Sequence, residues 1–190
     1  MNDRKNYILA AMFLTVGLIL PFFTGQIPQI GKMLLPMHIP VFLCGLICGS
    51  KYGLVIGFIL PLMRSMMFTA PMFYPTALAM AFELAAYGCI VGFLFTHARW
   101  QCIRSLYRCL LAAMIGGRVV WGFVMMVLLG FGTDSFTIKA FLAGGFFNAI
   151  PGIVLQLVLI PSVMLMLHKT HLVPFRNPKN KGDVICGAKG

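Results

Sequence analysis

The sequence predicts an all-α integral membrane protein, a single bundle of six transmembrane helices, and three observations predict it. Apolar residues make up 60% of the 190-residue chain, charged residues only 10%, and the mean hydropathy is +0.93; soluble domains carry about a quarter charged residues. The apolar residues come in runs close to the roughly 20 that a helix needs to cross hydrocarbon. The runs are unbroken and lack the period-2 alternation of a transmembrane barrel. Residues 1–170 read as one six-helix membrane domain that binds substrate, and residues 171–190 as a polar cytoplasmic tail. No repeat at a fixed period is visible.

The spans fall at about residues 7–23, 34–49, 52–68, 76–95, 107–130 and 139–168. The first follows the basic segment Met1 to Asn6. It is read as a retained helix, because its apolar run from Tyr7 to Phe23 exceeds a usual signal core and Thr24-Gly25-Gln26 offers no small-x-small cleavage site. Gly25, Pro28 and Gly31 break the chain before the second span. Ser50 and Lys51 separate the short second and third spans, and the segment Ala70 to Pro75, with two prolines, precedes the fourth. Polar residues from Thr96 to Ser105, then Gly132 to Ser135, bound the fifth.

Lysines and arginines fix the expected orientation, since short loops rich in them stay in the cytoplasm. An even number of spans puts both termini on one side. With that side cytoplasmic, the inner segments hold Arg4, Lys5, Lys51, Arg99, Arg104, Arg108, Lys169, Arg176, Lys179, Lys181 and Lys189. The outer loops hold only Lys32 and Lys139. The chain is therefore expected in the cell membrane with both ends inside. Its +11 net charge is a topology signal and an attraction to anionic membrane lipid; no nucleic-acid-binding motif accompanies it.

Against this background Arg64, Glu83 and Arg118 stand out. Each lies inside an apolar run, where an ionisable residue is a functional-site hypothesis by default. Glu83 is the one acidic residue so placed. His38 lies about four residues into its span from the outer end, Arg64 about four from its outer end, and Glu83 about seven, or roughly 10 Å, below its own. Arg118 lies near the middle of the fifth span and Asn148 about nine residues below the outer end of the sixth. The inner half offers mainly Gln156. This distribution predicts a cavity that opens outward.

Two arginines against one glutamate leave a surplus positive charge, which an anionic ligand would balance; a guanidinium donates two parallel hydrogen bonds to a carboxylate. The alternative is that Glu83 pairs with one arginine to lock helices together while Arg64 snorkels to the headgroups. Gln26 in the first outer loop and Tyr74 in the second are candidates for closing over a ligand, although aromatic rings also collect at membrane interfaces. Trp121, one turn beyond Arg118, is a candidate lining residue, with lipid contact as its alternative.

Small residues at four-residue spacing, including Ala77, Ala81 and Ala85, Gly88 and Gly92, and Ala113 and Gly117, predict close helix packing. In the sixth span Ala140, Gly144, Asn148, Gly152 and Gln156 form a stripe of small and polar residues expected to face inward. Other chemistry is scarce. There is no phosphate-binding loop, zinc-protease helix or nucleophile elbow. Cys44 and Cys48 share a face without a second pair to complete a metal site. No enzyme activity, metal or cofactor is expected, and energy must come from a gradient or a partner.

The stretch Leu34-Leu35-Pro36-Met37-His38-Ile39-Pro40-Val41, the segment Pro61-Leu62-Met63-Arg64-Ser65 after Gly57, the segment from Pro75-Thr76-Ala77 to Glu83-Leu84, and Asn148-Ala149-Ile150-Pro151-Gly152 carry a family likeness. Together they resemble the substrate-binding S component of an energy-coupling factor (ECF) vitamin transporter, over residues 7 to about 168. The resemblance implies a membrane protein that captures a vitamin or related micronutrient from outside. It implies delivery by toppling on a transmembrane coupling subunit driven by two ATPase subunits. The second-span pattern is similar to the pantothenate group, which makes pantothenate the favoured ligand: Arg64 or Arg118 would grip its carboxylate, and Glu83, Asn148 and His38 its hydroxyl and amide portion. Family members carry an A-x-x-x-A docking pattern on the first helix. Here the corresponding residues are Ala11 and Thr15, so threonine replaces the second alanine. A gradient-driven carrier or channel acting alone is the alternative function.

Overall fold

The computed structural model describes residues 3–24, 37–68, 72–98, 103–129 and 150–169. They form six α-helices and no strand: α1 (Asp3–Thr24), α2 (His38–Cys48), α3 (Ser50–Phe68), α4 (Leu78–His97), α5 (Ile103–Leu129) and α6 (Ile150–Lys169), with a π-helical turn over Phe73–Ala77 leading into α4. The expected six-helix class is what is observed. Ser50–Phe68, Phe73–His97 and Ile103–Leu129 are long and apolar enough to cross a membrane, and two shorter apolar helices accompany them. Gln26, Asn148, the expected start of the sixth span and the 171–190 tail lie outside the described residues.

Two boundaries differ from the sequence reading. The break between the second and third spans falls at Gly49 rather than at Ser50 and Lys51; Gly49 has φ of 97°, a left-handed conformation that a residue without Cβ adopts cheaply. The regular helix α4 begins at Leu78, two residues past the expected start, behind a turn over Phe73–Ala77 that is kinked at Tyr74, whose φ of −117° and ψ of 134° are extended. The π turn accommodates Pro75, which lacks a backbone donor, and the Ala77 amide closes onto the Met72 carbonyl at 2.9 Å.

Helix α4 is the hub, packing against α2, α3 and α5. Its contact with α3 is made backbone to backbone: a Cβ on Gly53 would lie 2.7 Å from the Gly88 carbonyl oxygen, and one on Gly57 would strike the Leu84 carbonyl. That register, 53 beside 88 and 57 beside 84, makes the helices antiparallel. On the other side, the ring of Tyr87 occupies the space that a Cβ on Gly117 of α5 would need. A larger residue at Gly53 or Gly57 therefore forces α3 and α4 apart, whereas one at Gly117 must displace the Tyr87 ring.

Helices α2, α4, α5 and α6 close a ring: α2 packs on α4, α4 on α5, α5 on α6 and α6 back on α2. Neither diagonal pair packs directly among the described residues, so side chains rather than backbones reach the centre. Helix α3 lies outside the ring against α2 and α4, and α1 lies against α2 and α3. On α1 the buried positions Asn6, Ala10, Gly17 and Pro21 recur at helical spacing. On α6 the buried stripe is Gly152, Gln156, Ile160 and Met164, as the spacing of small and polar residues predicts.

Candidate functional site

Two of the three charges, Glu83 and Arg118, lie on helices of the ring. Glu83 on α4 and Arg118 on α5 meet in an ion pair, Arg118 Nη1 to Glu83 Oε1 at 3.0 Å, with residue exposures of 2% and 7%. Tyr87, one turn along α4 from Glu83, donates its hydroxyl to the same carboxylate oxygen at 2.6 Å. A carboxylate without such partners would be costly to bury, and here two donors from two helices satisfy it.

Tyr87 is held from three sides. Its ring lies 5.0 Å, centroid to centroid, from Phe42 and 5.4 Å from the imidazole of His38, both on α2, while Gly117 leaves room for it on α5. His38 is 1% exposed. The line His38, Tyr87, Glu83, Arg118 thus crosses from α2 through α4 to α5. The sequence reading missed Tyr87. The i,i+4 spacing from Glu83, together with a glycine at the facing level of the fifth span, is the signal that could have found it.

Arg64 belongs to a different layer. The α3–α4 register puts residue 64 level with residue 77, six residues from Glu83 and so about 9 Å along the helix axis toward the π turn. It is half-buried on α3. In the same layer, at the π-turn end, Tyr74 donates its hydroxyl to the Leu128 carbonyl at 2.5 Å, tying the π turn to the C-terminal end of α5. Trp121 is half-buried one turn along α5 from Arg118, on the same side of that helix. The structure therefore joins Glu83 with Arg118, brings His38 to them through Tyr87, and keeps Arg64 and Tyr74 one layer toward the π turn.

On α1, Ala11 and Thr15 are both exposed, on the side away from α2 and α3. The Thr15 hydroxyl donates back to the Ala11 carbonyl at 3.0 Å. With its polar atom turned onto its own helix, Thr15 presents a small, largely apolar surface. Tyr7, Ile8, Met12 and Ile19 flank it, all exposed.

A six-helix bundle with a buried ion pair leaves several families open, and comparison with known families decides among them. The family described as "ECF transporter, substrate-specific component" matches residues 5–164. The chain belongs to that family. No curated protein and no solved structure matches it. The ECF assignment makes this a membrane transport subunit that binds a small-molecule substrate and works with ECF partner subunits, and not an enzyme. The match includes all the described helices that build the ring, apart from the last residues of α6.

Proposed function

We propose that this chain is the substrate-specific component of an ECF-type importer for an anionic, vitamin-like micronutrient, with pantothenate favoured. It sits in the cell membrane with both termini cytoplasmic, takes its ligand from the extracellular side, and delivers it by toppling on a transmembrane coupling subunit driven by two ATPase subunits. The observation that carries this reading is the buried Glu83–Arg118–Tyr87 cluster with Arg64 about 9 Å further out. Arg118 is compensated by Glu83, so the cationic character of the outer layer comes from Arg64. An amphiphilic acid fits such a gradient, its carboxylate on the Arg64 guanidinium and its neutral polar portion toward His38 and the cluster. Trp121 lines the space beside Arg118, and Tyr74 closes the mouth from the π turn. Gln26 and Asn148 complete the site from the first outer loop and from the start of the sixth span. Ala11 and Thr15 form the face that docks on the coupling subunit.

The test is calorimetric titration of detergent-purified protein with pantothenate and with pantothenol, in which an alcohol replaces the carboxylate. Pantothenate is expected to bind at least about tenfold more tightly, the value of one charge-assisted contact. Tight retention of a neutral or cationic vitamin without pantothenate affinity would overturn the ligand assignment. Uptake into vesicles containing this chain alone would instead favour a gradient-driven carrier.

A further inference from the structure

Two polar groups in the ring interior have donors that meet no acceptor among the described residues. Gln156 on α6 is 2% exposed, and its Nε2 meets no hydrogen-bond partner among the described residues. Arg118 on α5 is 7% exposed; its Nη1 serves Glu83, but its Nε has no partner among the described residues. Leaving a buried donor unsatisfied costs roughly as much as several ordinary contacts contribute, so native interiors rarely keep one without a use. Helix α6 packs only on α2 and α5 among the described residues, so its buried stripe faces the ring interior, toward the helix that carries Arg118. A structural role for Gln156 would ordinarily show a bond to a neighbouring helix. None is made.

We infer that the ring interior holds a deeper ligand subsite, in which the Gln156 amide and the Arg118 Nε–H donate to a neutral acceptor of the transported molecule: a carbonyl, amide or hydroxyl oxygen. This rests on the importer reading and extends it inward from the Arg64 layer. The electrostatics select the acceptor's charge. Glu83 already neutralises Arg118, so a second carboxylate would be buried without a counter-charge, and a cation would face the Arg118 guanidinium. A neutral oxygen meets both donors with no charge to desolvate. The ligand class is therefore an elongated molecule, anionic at the outer end and amide- or hydroxyl-bearing at the inner end.

The test combines ligand binding with ligand-free stability in detergent-purified full-length protein. Wild type, Gln156→Leu and Gln156→Asn are titrated with pantothenate, pantothenol, biotin, riboflavin, thiamine and pyridoxine, and their thermal unfolding is followed without ligand. Gln156→Leu is expected to weaken whichever ligand the wild type binds by roughly tenfold or more, while the ligand-free midpoint stays level or rises, because an unsatisfied donor has been replaced by apolar volume. Gln156→Asn, which keeps the amide but withdraws it by one methylene, is expected to weaken binding too and serves if the leucine variant does not fold. If pantothenate is the ligand, the loss should be equal for pantothenol, since both share the amide end, whereas Arg64→Gln should penalise pantothenate alone. Unchanged affinity in Gln156→Leu overturns the subsite, as does a fall of several degrees in its ligand-free midpoint, which would show a structural bond. Wild-type binding of no panel member also overturns it. Uptake by this chain alone, with Gln156→Leu still impaired in binding, would overturn the importer reading and leave the subsite standing.

Discussion

Replacing Arg118 with methionine tests whether the Glu83–Arg118 pair is the organising interaction of the bundle. The substitution keeps an unbranched apolar stem but removes Nη1, which lies 3.0 Å from Glu83 Oε1. Glu83 is then left at 2% exposure with Tyr87 as its remaining named donor. Breaking a buried pair from one side typically costs about 3–5 kcal/mol, because the other charge stays buried without compensation. Tyr87 offsets part of this, a bond to a charged acceptor contributing roughly 1.5–3 kcal/mol, so a loss of about 2–3 kcal/mol is expected. Glu83→Gln, which strands the guanidinium instead, should cost a similar amount. The double variant Glu83→Met with Arg118→Met removes both charges and should fall well short of the sum of the singles, leaving a coupling of at least about 2 kcal/mol. The assay is reversible unfolding in mixed micelles at constant detergent, as a double-mutant cycle. Additive losses within about 0.5 kcal/mol would mean that the two side chains do not depend on each other, and the reasoning from their 3.0 Å contact would fail.

Three further outcomes follow from the same geometry. Tyr87→Phe removes the hydroxyl that donates at 2.6 Å to Glu83 while keeping the ring between Phe42, His38 and Gly117, and should lower stability by about 1.5–3 kcal/mol in the same unfolding assay. Gly117→Val should be more damaging than Tyr87→Phe, since the new side chain must displace the Tyr87 ring and pull the carboxylate away from Arg118; thermal unfolding and pantothenate titration should both register it. Thr15→Leu, at an exposed position of α1, should leave ligand binding by the isolated chain intact but reduce ATP-dependent uptake severalfold when the coupling subunits are present; unchanged uptake would move the docking face elsewhere.

How much of this was legible beforehand varies with the kind of feature. Six apolar runs, and the closeness of the second and third helices, were readable because bilayer thickness demands runs of a certain length and glycine and proline interrupt them locally. The inward face of α6 was readable for the same reason, through the four-residue spacing of Gly152 and Gln156. Tyr87 was not. A tyrosine among apolar residues of a membrane helix has many uses, and its spacing from Glu83 singles it out only once Gly117 is seen to leave room for the ring and Phe42 to pack on it. Tyr74 was read as a closing residue of the second outer loop, and the bond that ties that loop to α5 depends on a backbone carbonyl 54 residues away.

The amino-acid sequence alone determined that this chain lives in a membrane as helices, and that Arg64, Glu83 and Arg118 need an explanation, because the cost of placing a charge in an apolar run is a property of the run itself. Which arginine Glu83 takes was decided only by tertiary structure. Antiparallel packing of α3 and α4 through Gly53 and Gly88 sets Arg64 one layer toward the π turn, and the α4–α5 contact brings Arg118 to the carboxylate. Pairing across helices depends on register, and register is fixed by which small residues let two backbones meet.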